Sequence, residues 1–358
     1  MKNLLALTLL TAAGLQGQWM TGYFSSQNTS MPVTSIPWDK YTHIIHFAAA
    51  PALGSDGQGN GRVSMYYLIS PEVHQLIASR PAGKKALVCI KDNDNNSSAF
   101  AQSLSSGLIG SFVSDVVNLV QSNGYDGVDI DWEQNVDVNE YHQFLLRLRA
   151  ALPGKTITIT SGDWGNLDVV AGENYELVDQ INVMCYDMDL PGGGDCNGTD
   201  CVWYNSAITQ DGDVWKRAAD ERVAKIVAGG VPNNKIGVGL PFYARIHSGV
   251  TLPLVLGDFP LTTVDYRDLT ANPVLWNANF MKYDAGHKAQ YLSVPALNEF
   301  VSYNGVQSMN DYVAWIKQEG YGGVMAFSTE MEFQPWTAGD AQHPLSSALY
   351  AALYGAGN

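Results

Sequence analysis

Short β-branched apolar runs alternate along this chain with longer stretches whose apolar residues recur at helical spacing. The runs lie at Trp19–Phe24, His43–Ala48, Ala86–Ile90, Gly127–Trp132, Thr156–Thr160, Gln180–Tyr186, Lys235–Pro241 and Gly323–Phe327, and each reads as a strand. Between them Ile109–Asn123, Val138–Ala151, Asp213–Ala228 and Met309–Glu319 read as amphipathic helices. Alternating strands and helices favour a parallel sheet. Eight such units favour the α/β class and a closed (β/α)8 TIM barrel. An open doubly wound sheet is the rival, but no G-x-G-x-x-G follows the first strand and no G-x-x-x-x-G-K-[ST] occurs. There is no internal repeat and no Pro/Thr- or Gly/Ser-rich linker, so residues 18–358 are expected to form a single barrel domain. The stretch 245–290, between the seventh and eighth strands, is longer than a helix needs and contains a strand-like piece at Thr262–Tyr266. It is expected to be a short excursion that walls one side of the barrel mouth.

Composition narrows the partners. The 358 residues carry 20 Lys+Arg against 35 Asp+Glu, a net charge of −15, yet only 15% are charged, against roughly 25% in an average domain. The acidity therefore reflects scarce bases rather than abundant acids. A surface so poor in Lys and Arg cannot neutralise many phosphates, which excludes a nucleic-acid partner. It equally excludes an anionic membrane surface. Residues 1–17 read as a secretory signal peptide: Lys2, the apolar run Leu4–Leu10, then small residues to Gly17. An ordinary N-terminal helix is the alternative; the run is far short of the ~20 residues of a membrane span. Secretion makes a disulfide admissible, and Cys196 and Cys201 can close a small ring, whereas zinc would need further ligands nearby. Cys89 and Cys185 sit in apolar strand-like runs and are expected to be buried thiols.

The chemistry concentrates in Tyr125-Asp126-Gly127-Val128-Asp129-Ile130-Asp131-Trp132-Glu133. Alternate side chains of a strand share a face, so Asp129, Asp131 and Glu133 point one way and Val128, Ile130 and Trp132 the other. Three acids facing a barrel interior suffer both desolvation and mutual repulsion, so at least one pKa should rise. A raised carboxyl pKa is what a general acid requires. A solvated acidic edge strand would explain the same acids, but the intervening apolar residues oppose it. A calcium site is a further alternative, and it lacks the turning glycine and loop spacing.

With these residues in place the segment Asp126–Glu133 resembles the D-x-x-D-x-D-x-E motif of family 18 glycoside hydrolases, the chitinase family. Gly22-Tyr23-Phe24 and Thr42–Ala48 resemble the family's first two strands. Met184-Cys185-Tyr186-Asp187 matches its M-x-Y-D. Gly239-Leu240-Pro241-Phe242-Tyr243-Ala244-Arg245 is similar to its seventh-strand motif, and Gly322-Gly323-Val324-Met325 to its eighth. The resemblance implies a retaining, substrate-assisted hydrolysis of β-1,4-linked N-acetylglucosamine. Glu133 would be acid and base, and Asp131 would hold the acetamido group and stabilise an oxazolinium. Asp129 would share a proton with Asp131, and Tyr186 would bond the acetamido oxygen. Asp187 and Arg245 would position sugars, with Met184 beside them. Tyr23, Tyr243, Trp164, Trp276 and Phe327 are candidate rings for apolar sugar faces.

Two departures stand out. The family's third strand usually ends S-x-G-G, and this one reads Cys89-Ile90-Lys91-Asp92; Phe327 stands where the family usually has Trp. The excursion is expected to be shorter than in deep-cleft members, which favours an open groove and an endo-acting enzyme. Chitin or chito-oligosaccharide is thus the expected partner of a monomer needing no metal or other cofactor. Two alternatives are an endo-β-N-acetylglucosaminidase acting on N-glycans and a non-catalytic chitin-binding lectin of the same fold.

Overall fold

The computed structural model describes residues 18–105, 107–190, 199–210 and 217–355. The signal peptide expected over 1–17 and Cys196, one half of the expected disulfide, lie outside the described residues.

Eight parallel strands form a closed ring: β1 (Trp19–Ser25), β2 (His43–Leu53), β3 (Lys85–Lys91), β4 (Gly127–Asp131), β5 (Thr156–Ser161), β6 (Gln180–Val183), β7 (Ile236–Pro241) and β8 (Gly323–Phe327). Closure runs through β1, which pairs with β2 at Thr21↔His43 and with β8 at Trp19↔Gly323. Helices follow most strands, and Ile109–Asn123 and Val138–Ala151 have the bounds the sequence predicts. The Asp137 carboxylate caps the second, accepting from the Glu140 N–H at 2.9 Å.

Some boundaries shift for local reasons. β2 runs on to Leu53, because Gly59–Ser64 folds back antiparallel on its end. β6 stops at Val183, three residues early: Met184 still bonds back to Ser161 O, but Asp187 adopts a left-handed φ of 58° that no strand accommodates. The helix expected over Asp213–Ala228 occupies Ala219–Ala228, while 211–216 lie outside the described residues.

The excursion is larger than the 245–290 expected. Five antiparallel strands run in the order Leu261–Asp265, Tyr243–Ser248, Glu299–Tyr303, Ala289–Val294 and Met281–Asp284, with a helix at Tyr266–Ala271. The sheet thus spans Tyr243 to Tyr303. Its ends escaped the periodicity because they pair with each other: Ser302 lies opposite Arg245, so neither end can be recognised until the other is in place. Its first strand continues directly from β7, which carries the sheet against the barrel rim.

On β4 the two faces separate as the alternation requires. Val128, Ile130 and Trp132 pack outward among the helices, and Asp129 and Asp131 point inward. Trp132 is fully buried between the rings of Phe100 and Tyr141, each stacked at 5.2 Å between centroids. Its indole N–H donates to Gln134 O at 2.7 Å. Asp126 fixes the strand's start, its carboxylate accepting from the Ala86 N–H at 2.8 Å while its own N–H donates to Ala86 O at 2.7 Å.

Trp132→Ala is expected to destabilise the protein by about 3–5 kcal/mol, the usual cost of emptying a large aromatic site. A urea midpoint unchanged from wild type would overturn this.

Candidate active site

The parallel register places Thr158 of β5 opposite Asp129 of β4. The Thr158 hydroxyl donates to Asp129 Oδ1 at 2.5 Å, and the Tyr23 hydroxyl of β1 donates to Oδ2 at 2.7 Å. One turn of the pleat higher, Thr160 donates to Asp131 Oδ1 at 2.8 Å. Asp129 therefore spends its oxygens on Tyr23 and Thr158, and among the described hydrogen bonds none joins it to Asp131. Burial raises the pKa of Asp129, and these hydroxyls and the Cys89 thiol pull against it. Asp131 rises further, through burial first and then through the charges of Glu133 and Asp129.

Glu133 lies two residues beyond the end of β4, not in the strand. The β4–β5 ladder ends at Ile130↔Ile159, so nothing on β5 receives the next backbone groups. The carboxylate of Asp92 does so, accepting from the N–H of Glu133 at 2.9 Å and of Gln134 at 3.1 Å. Glu133 is raised to about 7, by burial first and then by the charges of Asp92 and Asp187; the Trp164 indole N–H donates toward it and pulls the other way. Trp164 reaches this position by folding back over Gly162, where a Cβ would sit 2.2 Å from the indole ring.

These groups floor a cavity of about 870 Å³ at the C-terminal mouth of the barrel, the rim where (β/α)8 enzymes carry their chemistry. Asp131, Glu133, Met184, Tyr186, Asp187, Tyr243, Arg245, Phe327, Tyr23 and Trp164 all line it, with Asp129 immediately below. Tyr186 projects past Gly239 of β7, where a Cβ would lie 3.2 Å from its ring and 2.6 Å from Val183 O. Asp187 is held by the Tyr243 hydroxyl at 2.6 Å and by an ion pair with Arg245. Phe327 meets Tyr23 at 5.5 Å and Tyr186 at 6.0 Å between centroids.

Trp276 is the exception: it does not line the cavity. Its ring packs edge-on against Tyr266 and Tyr303 inside the excursion, at 5.8 and 5.3 Å. A tryptophan between two unrecognised elements could as well be their core, and here it is. The sequence reading passed over Phe47, Thr160, Asp163 and Arg222, which do line the cavity. Phe47 packs edge-on against Phe327 at 5.4 Å. Arg222 joins Asp163 at 2.9 Å, bonds the Met184 and Tyr186 carbonyls, and stacks over Trp164 at 4.9 Å. The inward threonines of Thr156-Ile157-Thr158-Ile159-Thr160 were a usable signal, whereas Arg222 was hidden in an ordinary helix.

At the altered third strand, Cys89 lies against Asp129, and Lys91 is turned aside into an ion pair with Asp94 and over the Tyr67 ring at 4.7 Å. Cys89 and Cys185 are free and buried, as expected. Among the described residues no group of three His, Cys, Asp or Glu side chains is arranged to hold a metal ion.

The family model for glycosyl hydrolases family 18 matches residues 20–332. The chain belongs to glycosyl hydrolase family 18. Among curated family-18 relatives it is similar to Chitinase 1 of Aphanocladium album, with 27% identity over 235 residues, 60% of this chain and 54% of that protein. It is 25% identical to Chitinase A1 of Niallia circulans over 282 residues, 68% of this chain and 38% of that protein. The chain thus spans about half or less of the length of these relatives. Among solved structures the fold matches catalytic domain 2 of the Group II chitinase of Ostrinia furnacalis, with a TM-score of 0.80, 16% identity and coverage of 95% of this chain and 97% of that one. It also matches a chitinase-like agglutinin of Robinia pseudoacacia, with a TM-score of 0.75, 19% identity and coverage of 93% and 99%.

The raised pKa of Glu133 has a consequence for stability. Its folded value of about 7 exceeds the ordinary 4.5, so the folded state holds the proton more tightly. Stability from this group is fully present below about 4.5 and declines as pH rises through about 7. Wild-type Tm is expected to fall over that window more than the Tm of Glu133→Gln, which has no proton to lose. Parallel Tm–pH curves for the two proteins would contradict the assignment.

Proposed function

We propose that the protein is a secreted chitinase acting on β-1,4-linked N-acetylglucosamine chains, with Glu133 as acid and base. The observation that carries this reading is the carboxyl ladder Asp129–Asp131–Glu133 ending beside Tyr186 at the floor of the cavity. Glu133, still protonated near neutrality, gives its proton to the glycosidic oxygen. The substrate's own acetamido oxygen attacks the anomeric carbon as the C–O bond breaks. Asp131 accepts from the acetamido N–H and stabilises the oxazolinium, and the Tyr186 hydroxyl donates to the acetamido oxygen. Glu133, now a carboxylate, takes a proton from the water that opens the ring, so the β-configuration is retained.

Substrate assistance is supported by the state of two other acids on the cavity wall. Asp187 is tied to Arg245 and Tyr243, and Asp163 to Arg222 and Lys225, so neither stands as a free nucleophile. Chitinase names among the relatives support the substrate class. The rings of Phe47 and Phe327 offer flat apolar surface to a neutral sugar. The likeness to an agglutinin favours, as a second reading, a protein that binds chito-oligosaccharide without cutting it; the presence of Glu133 in the cavity speaks for catalysis.

Chitotetraose and a high-mannose glycoprotein, incubated with wild type and Glu133→Gln, separate the readings. Wild type is expected to cut chitotetraose, and Glu133→Gln to lower kcat by ~10²–10⁴-fold. Cleavage of the glycoprotein alone would make the protein an N-glycan endoglycosidase, and binding of the tetramer without cleavage would make it a lectin. A thiazoline analogue of N-acetylglucosamine is expected to inhibit; indifference to it would count against substrate assistance.

A further inference from the structure

β3 ends at Lys91, and the next residue grips the end of β4 at three points. The Asp92 N–H donates to Asp131 O at 3.2 Å, and its Oδ2 accepts from the N–H groups of Glu133 and Gln134 at 2.9 and 3.1 Å. Those two N–H groups lie beyond the β4–β5 ladder, so Asp92 sets the backbone direction at Glu133 in place of a neighbouring strand. Bonding two N–H groups needs one acceptor oxygen, which a neutral amide would supply. Asp92 instead brings a carboxylate whose second oxygen, Oδ1, is buried without a hydrogen-bond partner. A charge with no structural return points toward the acid it adjoins.

We propose that Asp92 is a positioning residue for Glu133, holding the turn that aims the acid and keeping a second negative charge beside it. The inference rests on the assignment of Glu133 as acid and base. The charged and titratable groups facing Glu133 are Asp131 on its own segment, Asp92 and Lys91 at the end of β3, and Asp187 beyond β6, with the Trp164 indole beyond β5. Asp92 itself faces Lys91 and Asp94, and burial raises it to about 6. It is therefore ionised near neutrality, where Glu133 must keep its proton. A like charge favours the protonated acid, so removing that charge moves the basic limb of the reaction toward acid.

Two variants and two readouts test this. In Asp92→Asn the amide oxygen still accepts both N–H groups and only the charge is lost; in Asp92→Ala both are lost. The titration of Glu133, followed by ¹³C NMR of carboxyl-labelled glutamate and assigned with Glu133→Gln, is read without any substrate. In Asp92→Asn its midpoint is expected to fall by about half a pH unit or more. The basic limb of kcat on chitotetraose should move toward acid by a similar amount. Asp92→Ala is expected to lose about ten- to hundredfold in kcat with KM little changed, as displacement of an acid does. An unshifted midpoint in Asp92→Asn overturns the proposal, as does an Asp92→Ala protein with wild-type kcat. Should Asp92→Ala fail to fold, the Asn variant decides alone. A wild type that cuts nothing, with the midpoint shift present, refutes the hydrolase reading and leaves the electrostatic role of Asp92 standing.

Discussion

A carboxyl group carried from water into a barrel interior loses its hydration, and a second one two residues along adds repulsion to that loss. Asp129, fully buried, is the group on which the mouth of this barrel is built. It is tolerated because β1 and β5 each bring a hydroxyl to it, from Tyr23 and Thr158. Those donors arrive only if the barrel closes with β5 in the observed register against β4. A slip of one residue would turn Thr158 outward and leave the carboxyl without that donor. Closure of the ring and solvation of one acid are therefore the same requirement.

From Asp129 upward the environment grades from dry to half-wet, and the chemistry follows. Burial raises the pKa of Asp129, burial and the neighbouring carboxyls of Glu133 and Asp129 raise that of Asp131, and burial beside Asp92 and Asp187 raises Glu133, which borders the cavity, to about 7. Only Glu133 combines a value near neutrality with access to a ligand-sized space. The outward face supplies the rigidity this needs: Trp132, locked between Phe100 and Tyr141, fixes the segment from behind. The wall opposite is held by a separate ion-paired unit of Asp187, Arg245 and Tyr243, contributed jointly by the segment after β6 and the first strand of the excursion.

The eight strands were legible because a parallel barrel demands one short apolar run per unit, and each run survives as a local pattern. The carboxyl ladder was legible for the same reason, since period-two alternation is written in consecutive residues. The excursion was read too short because antiparallel strands such as Tyr243–Ser248 and Glu299–Tyr303 identify each other only when paired. Trp276 was misplaced with it: a ring's exposure depends on which elements flank it, and Tyr266 and Tyr303 were not yet elements. Phe47 and Arg222 belong to the cavity through neighbours far away in the chain.

The sequence by itself determined the alternation of strands and helices, the shared face of Asp129 and Asp131, and the scarcity of bases behind the net charge of −15. These are local or additive properties, and no fold is needed to read them. Only the tertiary structure decided that Glu133 leaves the strand, that the Tyr23 hydroxyl bonds Asp129, and that Asp92 takes over the backbone where the β4–β5 ladder ends. Each of those depends on groups between 41 and 106 residues apart. Such contacts exist only once the ring has closed.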